Sequence, residues 1–499
     1  MILTITLIVS AVAAIYLYLT WNNNYWKKLN VPGPSPLPGL GSFPSFVLQR
    51  RPVADEMDEI YRDYKQKYKF VGVFSNRSPR IMITSPELAK DVLSKNFKNF
   101  HDNEFGEMTN KEIDPLFGRN PFMLNGEEWK AKRAEVTPAF TTSRMKALFP
   151  LVEDVCSRMT KYVKENRGTV QDAKELSAKF TTDVVSSCIF ACDAQSFTSE
   201  KPEIREQGRK LMEQSFSSFL VMIFIMNFPT LAKIFQIGIV PKSLEKFFTD
   251  LMKEAILHRE ASGTNRADYL DYLISLRNKK EISELDMAAH GVTFFIDGFE
   301  TSSVAISFML YEIAKNPEVQ KRLRQELLKV TSENGTVPYD SLLELPYLEQ
   351  VVNESLRLWP PAAFTSKKCT EPIELPLTDS RNVLIGKEIC AIINIWSMHR
   401  DPEYYDDPLT FNPDRFSPET GGTGPYREKG CFIPFGDGPR QCLGMRFARM
   451  QVKRCLYELV KNFEITVNPK TKEPMKLDPK QFLTMPLGGI WLDFEPISK

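Results

Sequence analysis

Histidine is scarce: the 499 residues contain four, none in an H-E-x-x-H or similar spacing, which argues against a zinc centre built from paired histidine ligands. Eight cysteines, at positions 156, 188, 192, 369, 390, 431, 442 and 455, form no C-x-x-C pair and follow no regular spacing. A disulfide framework is thereby disfavoured, and a single special cysteine is left open. Net charge is nearly absent, with 64 Lys plus Arg against 63 Asp plus Glu, so nothing general draws the chain to nucleic acid. There is no internal repeat and, outside one proline-rich stretch, no low-complexity tract. Finally, no side chain in residues 1–26 carries a charge.

That last absence points to a membrane. Residues 2–21 are dominated by Ile, Leu, Val, Ala and Tyr, enough to cross a hydrocarbon core of ~30 Å at ~1.5 Å per residue. A cleaved signal peptide would carry basic residues in front; here Lys27 and Lys28 follow the run, which favours a body on the cytosolic side. Trp21, Tyr25 and Trp26 sit where interfacial aromatics are expected, and a buried N-terminal core helix is the alternative. Next, the prolines at 32, 34, 36 and 38 block both helix and sheet. The segment reads as a stiff spacer between anchor and body, or as a plain linker.

With 42% hydrophobic and 25% charged residues, the rest is a folded chain with a large core. Its length suggests about three domains at ~150 residues each, while one large domain stays open. Amphipathic helical stretches alternate with Pro and Gly breaks, and strand-like runs are confined mainly to residues 70–84 and 383–395, so a mostly helical body is expected. Within residues 214–241 the only charge is Lys233, among Phe219, Leu220, Phe228 and Phe235. Asn227, Pro229 and Gly238 interrupt this run, which disfavours a second span and suggests a surface that dips into a membrane or roofs a greasy pocket; ordinary core helices are the alternative.

The most informative segment is Phe432-Ile-Pro-Phe-Gly-Asp-Gly-Pro-Arg-Gln-Cys-Leu-Gly-Met-Arg446, followed by helix-prone residues to Lys461. Cys442 thus falls at a loop-to-helix junction, where free backbone N–H groups and the positive helix end lower a thiol pKa. Gly436, Gly438 and Gly444 let backbone approach a flat cofactor. Phe435 can cover the sulfur, and Arg440 can reach a carboxylate on the cofactor rim. The same residues also suit a tight turn holding an inert thiol, and the loop alone does not decide between the two.

Residues 435–444 fit F-x-x-G-x-R-x-C-x-G at every fixed position, and in this the chain resembles the cytochromes P450. The resemblance covers nearly the whole chain and implies that family's fold, mainly α with a small β portion, with haem b between an oxygen-activation helix and the cysteine loop. It divides the chain into a transmembrane signal-anchor (1–26), a basic and Pro-rich hinge (27–45) and one catalytic haem domain (46–499). Cys442 would be the iron ligand, its thiolate favouring O–O cleavage. Other segments match in order. Trp129 and Arg133 fit W-x-x-x-R, whose two side chains would face a haem propionate, and Lys367 stands where relatives often carry a propionate-binding arginine. Glu354, Arg357 and Arg415 would form a buried network that folds the chain around the haem. The stretch F-F-I-D-G-F-E-T-S-S, residues 294–303, resembles the oxygen-activation helix, with a plausible cap at Ser283. There Glu300 and Thr301 would deliver protons and Gly298 would leave room for oxygen; a helical Thr can instead bond its own i−4 carbonyl.

One residue departs from the pattern. Asp297 stands where relatives have a small residue, four before Thr301 and so on the same helical face. It is expected to look into the distal pocket and to pair with a basic pocket residue or select substrates bearing a donor or cationic nitrogen; a turn-level bond with Thr301 is the alternative. By position, Phe105, Phe117, Phe122, Phe219, Phe294, Ala363, Phe364 and Met485 would also line that pocket and suit a hydrophobic guest. The wording of the motifs most resembles insect microsomal members of the xenobiotic-metabolising clan. It implies oxygen insertion into lipophilic small molecules, foreign compounds or hormones. Electrons would come from NADPH through a cytochrome P450 reductase, with cytochrome b5 as a further donor, at the endoplasmic reticulum membrane and without nucleic acid. Lys130, Lys132, Arg427, Lys429, Arg446 and Lys453 are candidate reductase contacts. The alternative function is a non-catalytic haem protein that sequesters lipophilic ligands.

Overall fold

A computed structural model describes residues 1–212, 216–332 and 335–497. Gln214, in the apolar run, and the last two residues of the expected catalytic domain lie outside them. Helix α1 (Ile2–Thr20) buries none of its residues and, among the described residues, is the one helix long and apolar enough to cross a membrane. The helices that frame the site are α2 (Gly126–Val136), α3 (Thr142–Glu165), α4 (Ala173–Ile189), α5 (Phe216–Asn227), α6 (Pro229–Ile234), α7 (Lys242–Ser262), α8 (Glu284–Lys315), α9 (Pro346–Leu358) and α10 (Met445–Asn462). Helix α8 runs 32 residues and starts as its sequence suggests, with Ser283 Oγ accepting from Asp286 N at 3.0 Å. It is buried along most of its length because α4, α7 and α10 all pack against it.

Among the described residues there are nine strands: β1 (Phe70–Ser75), β2 (Ser78–Ile83), β3 (Gln171–Asp172), β4 (Phe364–Lys368), β5 (Ile373–Thr378), β6 (Arg381–Ile385), β7 (Cys390–Asn394), β8 (Phe463–Val467) and β9 (Trp491–Pro496). The main sheet has the order β1-β2-β7-β4, in which β2 and β7 are parallel and pair Arg80 with Cys390. Strand β4 runs antiparallel to β7, pairing Lys367 with Ala391. The chain is therefore mainly helical with a small β portion, as expected. One apolar core surrounds α8 and a second surrounds β1, β2 and β7.

The segment after α1 is bound to that second core. Trp26 is 3% exposed, its indole N–H donates to Val73 O at 3.1 Å, and Val31 and Phe43 are buried beside it. Gly72 must be glycine, since a Cβ there would lie 2.3 Å from the Trp26 ring. Gly72 N also donates to Pro32 O at 2.8 Å, and Ser42 N to Phe74 O at 2.8 Å, so the proline-rich stretch runs along β1. Trp26→Ala, made in protein lacking residues 1–20, is expected to cost about 3–5 kcal/mol through the cavity it leaves. A denaturation midpoint equal to that of the parent would contradict this packing.

The apolar run breaks into α5 and α6 at Pro229, the point where a helix cannot continue. Leu220, Met226, Phe228, Leu231, Ile234 and Phe235 stay exposed on it, and Tyr18 of α1 stacks on Phe228 with ring centroids 6.0 Å apart.

Candidate active site

The cysteine loop is held from behind. Neutral His399 accepts from Ile433 N through Nε2 at 2.9 Å, burial pushing its imidazole down to about 3, and Cys442 N donates to Phe435 O at 2.9 Å. Gly438 takes a φ of +68° where a Cβ would stand 2.0 Å from Leu93 O, so only glycine fits. Beyond Cys442 no atom lies within 4 Å of the position a Gly444 Cβ would take.

The Cys442 side chain is accessible although it sits in the interior, and on α8 the accessible positions Asp297, Gly298 and Thr301 interrupt an otherwise buried stretch. The two accessible patches lie near enough for the Asp297 charge to act on the Cys442 thiol across the space between them. Burial, followed by that charge, pushes the thiol up to about 11, against the pull of Gly444 N–H and Arg133. At this thiol desolvation outweighs the backbone donors, the opposite of the helix-junction expectation. A metal ion coordinated by Cys442 would favour the thiolate and offset that cost.

A cradle of cations borders this space. Arg133 Nη2 donates to Gln441 O at 2.6 Å, and Arg440 donates to His101 O at 2.5 Å and Leu124 O at 3.0 Å while its guanidinium lies 4.1 Å from the Trp129 ring centroid. Lys367 Nζ donates to Asn103 Oδ1 at 2.8 Å and makes no ion pair among the described residues. Among the described residues the one carboxylate that ion-pairs with these three cations is Asp102, 3.6 Å from Arg440. Burial and then Arg440 push Lys367 down to about 7, and burial pushes Arg440 down to about 10. Cations this poorly compensated, beside an accessible interior thiol, fit a planar cofactor with anionic rim groups. Trp129, Arg133, Lys367 and Arg440 would hold the rim, and Cys442 the iron.

The remaining expected residues divide. Thr301 Oγ1 donates to Asp297 O at 2.6 Å, the i−4 bond anticipated as the alternative. Glu300 turns toward α4, where Lys174 Nζ donates to it at 3.1 Å. A Cβ on Gly298 would meet Val185 at 3.0 Å, so this glycine also lets α8 approach α4. Glu354 and Arg357 pair twice at 2.8 Å with no exposure, and Arg415 approaches Glu354 at 3.5 Å. Phe105, Phe122 and Phe364 come together around Phe482: Phe105 lies 5.6 Å from Phe122, and Phe482 5.7 Å from Phe105 and 5.6 Å from Phe364. Phe294 is instead buried between Phe140, Tyr269 and Phe447. Phe219 and Ala363 are buried, and Phe117 and Met485 pack on the helical core. Lys453 is buried against Glu349 at 2.8 Å, which removes it from any docking face.

Sequence reasoning missed Phe482, Lys174 and Gln451. Gln451 Nε2 donates to Gly298 O at 3.1 Å and Ser302 Oγ at 2.7 Å, tying the helix that follows Cys442 to the helix that faces it. Its place nine residues beyond Cys442 carries no signal until the contact between α8 and α10 is known.

A cysteine loop beneath a long buried helix, rimmed by undercompensated cations, fits a planar cofactor with an anionic rim. The cytochrome P450 family model matches residues 31–492, and the chain belongs to that family. Two relatives from Drosophila melanogaster are similar over nearly full length. Probable cytochrome P450 28a5 is 37% identical, covering 99% of both chains, and probable cytochrome P450 28d1 is 38% identical, covering 98% of this chain and 97% of the relative. Cytochrome P450 6a2, from the same species, is 34% identical over 98% of each. The protein is a cytochrome P450 monooxygenase of a family of haem enzymes.

Proposed function

We propose that the protein inserts one oxygen atom from O2 into lipophilic small molecules, foreign compounds or hormones, releasing the other as water. Electrons come from NADPH through a membrane-bound reductase, with cytochrome b5 as a second donor. The observation that carries this reading is the accessible interior Cys442, near the accessible Asp297–Thr301 face and a chain of cations formed by Arg133, Arg440 and Lys367. Haem b, when bound, supplies oxygen activation and accepts the electrons. The chain's residues do the rest: the cations neutralise the rim, the clustered phenylalanines 105, 122, 364 and 482 gather an apolar guest, and Thr301 Oγ1 holds a proton at the edge of the site. Glu300, which the resemblance also assigns to proton delivery, is paired through Oε1 with Lys174.

Residues 1–26 act as the signal-anchor, its end at Trp26 seated in the body, 27–45 as a basic and Pro-rich connection packed along β1, and 46–499 as the catalytic domain, facing the cytosol from the endoplasmic reticulum membrane. The exposed apolar side chains of α5 and α6, against which α1 stacks, add a second contact with the bilayer. Lys130, Arg427, Lys429 and Arg446 supply basic charge to an acidic partner.

Purified protein reconstituted with reductase is expected to consume NADPH and O2 in step with product formation across a panel of lipophilic compounds. Binding without turnover would instead favour a protein that only sequesters such ligands. Lys367→Met is expected to weaken haem retention by about 1.5–3 kcal/mol, the worth of a hydrogen bond to a charged group, and Lys367→Arg to restore most of it. Haem transfer to a scavenging globin measures both. In the cofactor-free chain Lys367 holds its proton only below about 7, against 10.5 ordinarily, so it favours unfolding as pH falls. Stability should rise from about pH 7 toward 10.5, and Lys367→Met should flatten that slope.

A further inference from the structure

Asp297 is a carboxylate in the wrong place for a purely apolar pocket. Among the described residues no side chain hydrogen-bonds or ion-pairs with its carboxyl group. The Thr301 hydroxyl, on the same helical face, donates through Oγ1 to the Asp297 backbone carbonyl at 2.6 Å and not to the carboxylate. The cations of the cradle make their bonds elsewhere, Arg133 to Gln441 O, Arg440 to His101 O and Leu124 O, Lys367 to Asn103 Oδ1, and burial alone shifts the Asp297 carboxyl. Nor does the carboxylate turn back into the protein. It is accessible on a helix whose neighbouring positions 294–296 and 299–300 are all buried, and it lies near enough to Cys442 for its charge to act on that thiol.

An interior carboxylate without a partner is costly, and a ligand that brings the opposite charge offsets that cost. A neutral hydrocarbon guest does the reverse, stripping water from the group and leaving nothing in return. Burial holds this carboxyl at about 7, so at neutral pH and above a substantial fraction is ionised. The phenylalanine cluster at 105, 122, 364 and 482 supplies aromatic faces that accept both an apolar scaffold and a cationic nitrogen.

We infer that Asp297 selects substrates carrying a basic, positively charged nitrogen on a lipophilic frame, the carboxylate pairing with that nitrogen while the frame occupies the apolar pocket. This rests on the monooxygenase reading and names the substrate class of the same site.

The test uses the haem-loaded, full-length protein and two probes of one shape: an aryl-alkyl trimethylammonium ion and its carbon isostere, in which a tert-butyl group replaces the charged head. A quaternary nitrogen has no lone pair to bind iron and no proton to lose, so only the charge differs. Binding is followed by equilibrium dialysis at about pH 8, where a carboxyl with a pKa near 7 is mostly ionised. The wild type is expected to bind the cation at least tenfold more tightly than the isostere. Asp297→Asn should reverse or abolish that ratio, and Asp297→Glu should keep it in favour of the cation. A wild type that prefers the isostere overturns the inference without any variant. Equal weakening of both probes by Asp297→Asn, with their ratio unmoved, overturns it too, by showing that the residue serves the pocket's shape or its protons. The monooxygenase reading fails separately, when wild type and reductase give no product from any panel member; loss of the cation preference leaves such turnover standing.

Discussion

Cys442→Ala is expected to abolish monooxygenase turnover, with a loss of at least about a thousandfold, because the alanine offers iron neither a ligand nor a negative charge. The reduced, CO-bound protein should lose the spectrum of a haem thiolate at the same time. Cys442→Ser separates two contributions: the hydroxyl occupies the same site beside Gly444 N–H, yet it is a far weaker acid than the thiol, which burial already pushes up to about 11. Serine should therefore keep some haem and lose the thiolate spectrum. Cys156, Cys188 and Cys455 are controls. Each is buried, and burial raises its thiol, so alanine there should change packing alone and leave the spectrum intact. A thiolate spectrum surviving in Cys442→Ala would move the iron ligand elsewhere and with it the whole site.

How much of this was legible beforehand depends on whether a feature is local. The loop around Cys442, the Trp129 and Arg133 pair one helical turn apart, and the Glu354 and Arg357 pair at i,i+3 each place their groups by backbone geometry alone, and short segments reveal them. The N-cap at Ser283 is local in the same way. What stayed hidden depends on contacts between distant segments. Glu300 faces Lys174 because α4 lies alongside α8, and no spacing within 294–303 announces that. Lys453 looks like surface charge in sequence but meets Glu349 across the α9–α10 contact. Trp26 has the composition of an interfacial anchor, whereas β1 takes it into the sheet core. Strand β4, F-T-S-K-K, was illegible because two lysines mask a run that is held by β7. The thiol pKa was misjudged for a related reason: backbone donors can be read from a loop, and desolvation cannot.

The buried network should show the second large effect, on assembly rather than chemistry. Glu354 accepts two bonds from Arg357 at 2.8 Å and one from Asn412 N at 3.0 Å, and Arg357 also donates to His399 O at 2.8 Å and Pro408 O at 2.7 Å. These bonds clamp the chain from 399 to 415 onto α9, and the same stretch supports the cysteine loop, His399 through Ile433 N and Tyr405 through Cys431 O at 2.9 Å. Glu354→Gln strands the Arg357 charge in a site with no exposure, at a cost of about 3–5 kcal/mol. That is a large part of the roughly 5–15 kcal/mol by which folded proteins are stable, so most molecules should fail to hold haem. The ratio of haem to protein after purification, with a urea midpoint, measures this. Arg357→Lys should fare little better, since a single ammonium cannot replace the paired bonds to Glu354 together with those to two carbonyls. The double variant Glu354→Met with Arg357→Leu separates charge from shape. It removes both buried charges and should recover stability relative to either single change. It still leaves the His399 and Pro408 carbonyls without their donor, so haem loading should recover less than the urea midpoint does. Full recovery of both would mean that the network contributes charge balance alone, and that the cysteine loop keeps its shape without it.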